Sequence, residues 1–336
     1  MGASGRRQKR TAAPVFTYAL KKLYPRIICC QRNFAFYARI WVMGVTIVIH
    51  INSFGVIGGD KRQLSAARAI YEDGYTVLLS GFDKLEQILG GMEGLVTPQE
   101  AALCSEAIVL PLPVTKDGKN LNAPFAGEKI PLDDSFARMM QRKRVYCGMK
   151  ERLLKTSKLW NKDMVFDYFD REELNVLNAV ATSEGALEIA MREYAGTING
   201  SRCLVVGFGR IGKVLSNMLR GLGAQVYVAA RKKQDLAWIS LLGHEPVAMK
   251  ALSDSGAYDI IFNTVPALIL DSHVLAHIAQ EACVIDLAST PGGVDFDSAR
   301  RMGIQAVHAL SLPGKVAPKT SGEIIKNTIF NMLEED

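Results

Sequence analysis

Val206-Gly207-Phe208-Gly209-Arg210-Ile211-Gly212, with Ala230-Arg231-Lys232 downstream of it, is the stretch that decides the fold. Ser201-Arg202-Cys203-Leu204-Val205-Val206 reads as a short buried strand. The three glycines then make a tight turn and let backbone approach a pyrophosphate. Lys213 to Leu222 continues as a helix whose N-terminus attracts that anion. Gly223 to Ala229 supplies the second strand. An NAD-specific site places Asp or Glu at the end of that strand, on the adenosine ribose hydroxyls. Here the place falls on Ala230, and Arg231, Lys232 and Lys233 follow. A carboxylate repels a 2′-phosphate, whereas a guanidinium grips one through two charge-assisted hydrogen bonds. The expected cofactor is therefore NADP. A lone glycine fingerprint is weak, and the plain alternative is a glycine-rich turn that binds nothing. Strand, helix and second strand in the required order weigh against that alternative.

From about residue 54, short apolar runs alternate with amphipathic segments, the pattern of parallel α/β sheets. Phe54–Ile57, Tyr75–Leu79, Ala107–Leu110, Val145–Cys147 and Met164–Phe166 are predicted strands of a first Rossmann-like unit. After Gly58–Gln63 comes a helix with Leu64, Ala67, Ala69 and Ile70 on its apolar side. This unit lacks the fingerprint, because Gly58-Gly59 runs straight into charged residues. Residues 170–195 read as helical with a break near Thr182-Ser183-Glu184-Gly185, where Thr182 or Ser183 suits an N-cap. Asp259–Asn263, Cys283–Leu287 and Ile304–His308 are the later strands of the second unit. Pro318–Leu333 is a helix with Ile324, Ile325, Thr328, Ile329 and Met332 on one face. The expected fold class is α/β, with two Rossmann-like parallel-sheet domains facing a central cleft. Residues 43–180 form the substrate domain, 181–315 the NADP domain, and the C-terminal helix (316–336) returns to the first domain.

With 336 residues, 49% hydrophobic and 22% charged, the composition is that of a soluble two-domain protein. Its net charge of +6 is unevenly placed: nine of the 40 basic residues and none of the 34 acidic ones fall in residues 1–42. The remainder is mildly acidic, so charge gives no argument for nucleic acid or a membrane. Residues 1–42 carry the cluster Arg6-Arg7-Gln8-Lys9-Arg10 but no secretory signal. Their acid-free composition is compatible with an organellar presequence; the simpler reading makes Met43 a start and residues 1–42 an extension outside the fold. Gly44–Ile51 either extends the first strand or leads into it. The six cysteines (29, 30, 104, 147, 203 and 283) include no Cys-x-x-Cys pair, which fits a reducing cytoplasm without zinc or disulfides. His273 and His277 stand four apart on a predicted helix, but with no third ligand beside them they read as surface residues, and no metal is expected. No apolar run reaches transmembrane length.

Ligands of open α/β sheets bind outside the carboxyl ends of the strands. In the second unit those ends are Asn263-Thr264-Val265-Pro266, the run from Asp286 through Ala288 and Ser289 to Gly293, and His308 to Lys315. In the first they are Gly58–Gln63 and Pro111–Asp117. Cofactor contacts are expected from Gly207 through Gly212, Arg231, Lys232, Asn263 through Pro266, Asp286, Ala288 and Ser289. Cations and hydroxyls suited to an anionic substrate are Arg62, Lys61, Thr115 and Lys315, with Lys116 and Lys319 read as solvated charges. Asp60 orients Arg62 or caps the helix beginning there. Glu184 and His308 are the candidates for general acid or base, and His308 reads equally well as an inert strand end.

These motifs, in order, resemble one family. They are Gly58-Gly59-Asp60-x-Arg62-Gln63, Leu110-Pro111 with Asp117-Gly118, Thr182-x-Glu184-Gly185-Ala186, Gly207-x-Gly209-Arg210-x-Gly212, Ala230-Arg231 and Asn263-Thr264-Val265-Pro266. The most specific are Asp286-Leu287-Ala288-Ser289-x-Pro291-Gly292-Gly293-x-Asp295-Phe296 and Leu312-Pro313-Gly314-Lys315-x-Ala317-Pro318-x-Thr320. Over residues 54–333 the chain is similar to the NADP-binding A subunit of dipicolinate synthase of endospore-forming bacteria. The resemblance implies action with a flavoprotein-like B subunit to make pyridine-2,6-dicarboxylate from dihydrodipicolinate or its hydrated precursor, 4-hydroxy-tetrahydrodipicolinate. It further implies NADP as electron acceptor, a small dicarboxylate substrate, an oligomer, and the mother-cell cytoplasm during sporulation as the place of work. It assigns no catalytic base. Two other readings stand beside it: a non-catalytic NADP-binding scaffold for the flavoprotein-like partner, and a shikimate-dehydrogenase-like reductase of another small acid. The His–carboxylate–Arg constellation of 2-hydroxy-acid dehydrogenases is not evident, which disfavours that substrate class.

Overall fold

The computed structural model describes residues 36–42, 45–85, 93–254 and 257–335. Strands β1 (Phe36–Val42) and β2 (Val45–Ile51) pair antiparallel as a two-stranded ribbon that joins neither of the larger sheets. Of the stretch 44–51, the described residues Val45–Ile51 thus pair with β1 and do not extend the first strand of the sheet that follows. Of the extension placed outside the fold by sequence, residues 1–35 lie outside the described residues, and 36–42 are β1.

The first lobe runs β3 (Ser53–Ile57), α1 (Lys61–Glu72), β4 (Thr76–Ser80), β5 (Glu93–Leu95), α2 (Pro98–Cys104), β6 (Ala107–Val109), α3 (Asp134–Met140), β7 (Arg144–Cys147), α4 (Lys150–Leu154) and β8 (Val165–Asp167). The long helix α5 (Glu172–Glu193) leads to the second lobe. There follow β9 (Arg202–Val206), α6 (Arg210–Gly221), β10 (Gln225–Ala230), α7 (Lys233–Leu241), β11 (Glu245–Ala248), β12 (Ile260–Asn263), α8 (Ser272–Leu275), β13 (Cys283–Asp286), α9 (Phe296–Arg301) and β14 (Gln305–His308). Helices α10 (Leu312–Val316) and α11 (Pro318–Glu335) close the chain. Both sheets are six-stranded and parallel, ordered β5-β4-β3-β6-β7-β8 and β11-β10-β9-β12-β13-β14, so the two lobes share one doubly wound topology.

Parallel strands buried on both faces read as continuous apolar runs, and β6 and β7 have no exposed residue. One face of the first sheet is covered by α1 and by the returning α11, whose Ile325, Ile329 and Leu333 are at most 1% exposed. Each such side chain contributes about 1.5–3 kcal/mol of burial. Phe54, Tyr75 and Phe330 meet there with ring centroids 5.4–5.8 Å apart. Gly322 lets the two helices touch backbone to backbone: a Cβ there would stand 2.6 Å from Arg62 O and Ala66 N.

The break expected at Thr182–Gly185 is absent, and α5 is one continuous helix. The Thr182 and Ser183 hydroxyls donate back to the carbonyls of Asn178 and Ala179 at 2.8 Å, satisfied within the helix instead of capping a new one. Gly185 is there for packing, since a Cβ would meet Leu312 Cβ at 3.0 Å. Cys203 and Cys283 are buried in β9 and β13, where desolvation pushes both thiols up to about 11. Among the described residues no helix is long and apolar enough to cross a membrane.

Candidate functional site

A doubly wound sheet opens a crevice where its strand order reverses, between β9 and β12 in the second lobe and between β3 and β6 in the first. After β9, Gly207 takes φ +104° and lies so close to Thr264 that a Cβ would collide with it. A Cβ on Gly212 would collide with Gly207 O, so this glycine lets the helix start press on the turn. Gly209 caps α6 with no side chain and has open space around it, leaving the first amides of the helix to an incoming anion. Thr264, at the end of β12, bridges the crevice by donating its hydroxyl to Val206 O at 2.9 Å.

The first lobe repeats the arrangement with a cation. Asp60 caps α1 by accepting from Arg62 N at 2.9 Å, while Gln63 Oε1 accepts from Asp60 N. The Arg62 guanidinium is held by Asp60 (Nε 3.0 Å, Nη2 2.8 Å) and donates from Nη2 to Leu112 O at 2.6 Å, bridging the β3 and β6 ends. Its Nη1 has no partner among the described residues. Tyr168, fully buried, donates to Leu110 O at 2.8 Å and fixes the same loop from behind. Gly314 packs against this pair, 3.0 Å from Arg62 Nε to a Cβ built there.

Both crevices open onto one cavity of about 400 Å³. Gly209, Arg210, Ile211 and Thr264 line it from the second lobe, Arg62 and Leu112 from the first, and Asn175, Asn178 and Thr182 from α5. Arg210 is engaged by Glu172 (2.9 and 2.5 Å), which holds that carboxyl below its ordinary range. A larger cavity of about 680 Å³ lies within the first lobe beside Gly81, Thr97 and Phe136, bordered by Asp83, Glu100, Glu128 and Asp133. It touches neither the fingerprint nor either strand reversal, and its carboxylates oppose an anion, so size is not the deciding property.

The residues singled out by sequence divide sharply. Gly207, Phe208, Gly209, Arg210, Ile211 and Gly212 stand at the start of α6, and Arg231 and Lys232 are exposed beyond β10, their side chains without a partner among the described residues. Asn263 and Asp286, expected at the cofactor, are instead fully buried. Asn263 Nδ2 donates to Asp286 Oδ1 at 2.8 Å, and Asp286 also accepts from Ala288 N and Gly293 N at 3.1 and 2.8 Å. A buried carboxylate needs such donors, and this one shapes the 286–293 loop from inside. Val265 is half-buried against the core; Pro266 and Ser289 are exposed, and Ala288 is buried.

Thr115, expected at the substrate, is 2% exposed, and its hydroxyl is spent on Asn120 O (2.6 Å) and Gly118 N (3.0 Å). With Lys116 it borders a separate basic hollow. Lys61, Lys315 and Lys319 do not line the cavity. Glu184 is exposed as well: a helix turns about 100° per residue, so two residues beyond Thr182 it points away from the cleft. His308 ends β14 with Nε2 3.2 Å from Ala288 O and its ring against Phe296, outside the cavity wall. Sequence reasoning missed Asn175 and Asn178. Their signal was present, since Asn175, Asn178 and Thr182 recur at helical spacing in a stretch otherwise rich in Ala, Val and Leu.

Comparison with known proteins bears on this site. Residues 53–162 match the family model of the N-terminal domain of the dipicolinate synthase A subunit, and residues 178–290 that of the D-isomer specific 2-hydroxyacid dehydrogenase NAD binding domain. The crystal structure of the dipicolinate synthase A subunit from Bacillus halodurans superposes with a TM-score of 0.75 at 31% identity, covering 85% of this chain and 98% of that one. The A chain of dipicolinate synthase from Bacillus subtilis superposes with a TM-score of 0.72 at 32% identity, covering 84% and 96%. In sequence the chain is 33% identical to the dipicolinate synthase A subunit of Bacillus subtilis (strain 168) over 83% of its length and 95% of the relative's. The second lobe is accordingly a nicotinamide-dinucleotide-binding domain of the dehydrogenase class, and the chain belongs to the family of dipicolinate synthase A subunits.

Proposed function

We propose that this chain is an NADP-dependent oxidoreductase that converts dihydrodipicolinate, or its hydrated precursor, to pyridine-2,6-dicarboxylate. The observation that carries this reading is the single cavity shared by an uncapped dinucleotide helix and a fixed guanidinium with a free donor. The amides at the start of α6 and the side-chain-free Gly209 fit a pyrophosphate. Arg231 and Lys232 beyond β10, where no carboxylate intervenes at Ala230, favour a 2′-phosphate and hence NADP over NAD. When bound, the dinucleotide supplies the hydride acceptor.

Arg62 binds one substrate carboxylate through Nη1, and Asp60 with Leu112 O keeps its planar fork in one orientation. Thr264 holds the β12 turn beside the fingerprint. No Asp, Glu or His lines the cavity among the described residues. Aromatisation supplies driving force, so we place the ring proton on solvent water rather than on Glu184 or His308. The relatives are named as one subunit of a synthase, which supports a second, flavoprotein-like subunit as partner. Production in the mother-cell cytoplasm belongs to the same proposal.

Purified chain, NADP and freshly generated dihydrodipicolinate test the reading. NADPH appearing without the flavoprotein-like partner is the expected result. Reaction only after that partner is added would make this chain a cofactor-binding scaffold, and turnover of shikimate in place of dihydrodipicolinate would reassign the substrate.

A further inference from the structure

Asn178 stands out among the side chains of the cavity because its carboxamide is unspent. Asn175 donates Nδ2 to the carbonyls of Phe169 and Arg171 at 2.8 and 3.0 Å, Thr182 donates to Asn178 O, and Arg210 is held by Glu172. Asn178 lines the same wall, yet its Oδ1 is buried without a partner and its Nδ2 has none among the described residues. A buried carboxamide oxygen left unpaired is destabilising. Val, Leu and Ala occupy the neighbouring positions 176, 177 and 179, so nothing in the local composition calls for an amide here. Helical spacing sets Asn178 between Asn175 and Thr182 on the face turned to Arg62 and Gly209.

We infer that Asn178 is the specificity-determining residue that reads the ring nitrogen of the substrate, an assignment that rests on the function proposed above. In pyridine-2,6-dicarboxylate the nitrogen lies between the two carboxylates. A neutral donor from α5 and a cation from the first lobe, lining one cavity, therefore recognise nitrogen and carboxylate together. The Arg62 Nη1 takes the carboxylate, and the Asn178 amide meets the atom beside it. A carboxamide suits this task because its Nδ2 donates without carrying charge, matching a ring nitrogen that presents a lone pair. A second cation would bind any dicarboxylate of similar span and read charge alone.

Benzene-1,3-dicarboxylate has the same outline and the same two charges, with C–H in place of nitrogen. Calorimetry in buffer freed of divalent cations, with NADP saturating, compares the two ligands on the wild-type chain, on Asn178→Leu and on Asn178→Ser. The wild type is expected to prefer the pyridine by about tenfold. Asn178→Leu, close in shape but without hydrogen bonds, is expected to bind both ligands equally, at the wild-type affinity for the benzene compound. Asn178→Ser retains a shorter polar group and should recover part of the preference. An undiminished preference in Asn178→Leu overturns the assignment, as does a wild type that does not discriminate. Loss of the benzene compound in both variants marks general damage and overturns it too. If neither dicarboxylate binds the wild type, the functional reading itself fails.

Discussion

Arg62→Lys isolates the first lobe's share of the site. The Arg62 side chain is 10% exposed and Asp60's is 31%, so the pair is screened from water on most sides. Lysine keeps the charge but has no planar fork, and its single ammonium cannot serve both Asp60 carboxylate oxygens and Leu112 O. The carbonyl of Leu112 is the group left without a donor, and an unpaired buried acceptor costs about 1–3 kcal/mol. The Asp60 pair is partly retained, so the net destabilisation is about 1–2 kcal/mol, well short of the roughly 3–5 kcal/mol for abolishing a buried pair. Loss of Nη1 removes a charge-assisted bond to a carboxylate, about 1.5–3 kcal/mol or roughly ten- to 150-fold in dicarboxylate affinity. Urea unfolding at constant m gives the first quantity and calorimetry the second. NADP affinity should be untouched, because the fingerprint lies on the other lobe. If Arg62→Lys binds pyridine-2,6-dicarboxylate as well as wild type, Arg62 is a structural bridge only and the carboxylate site lies elsewhere.

Three further predictions follow from named contacts. Arg231→Asp should weaken NADP binding by roughly ten- to 100-fold, as expected for a lost charge-assisted phosphate contact, and leave NAD binding equal or stronger; unchanged NADP affinity by fluorescence titration would remove the selectivity argument. Gly322→Ala should destabilise the chain by about 1–3 kcal/mol, because the new Cβ meets backbone at 2.6 Å, and a melting temperature equal to wild type would contradict that packing. His244, 4% exposed with neither ring nitrogen paired among the described residues, has its pKa lowered from 6.5 by burial and by Arg220. The unfolded chain therefore binds the proton more readily. The stability that neutral His244 preserves is present above about pH 6.5 and lost as pH falls through that value towards the folded pKa. His244→Leu should flatten the slope as pH falls below about 6.5, and an unaltered slope in denaturant titrations would assign it to other groups.

Much of the architecture was legible because parallel strands buried on both faces leave apolar runs that survive in the linear sequence. β9 with its glycines and β12 with its polar exit are read from composition alone. β5 and β11 escaped notice for a physical reason. Both are edge strands of three and four residues, carrying Glu, Gly and Pro where central strands carry Val and Ile. Of the candidate site, the glycines and Arg62 are the residues that sequence and cavity both single out, because they obey local rules. Asn263, Asp286 and Thr115 misled because a polar residue at a strand end looks the same whether it faces a ligand or folds its own loop. Only burial separates the two, and burial belongs to the tertiary structure. Asn178 was passed over for a different reason: its helical spacing with Asn175 and Thr182 is visible in the sequence, but that this face of α5 lines the cavity belongs to the tertiary structure.

The most direct test of the account is a crystal structure of the chain with NADP and pyridine-2,6-dicarboxylate bound together. It should place the pyrophosphate on the amides of Gly209, Arg210 and Ile211, the 2′-phosphate on Arg231, and a carboxylate on Arg62 Nη1 within the 400 Å³ cavity. A dicarboxylate lodged in the 680 Å³ hollow beside Gly81 and Phe136, or a dinucleotide away from α6, would contradict the claim that the two strand reversals build one site.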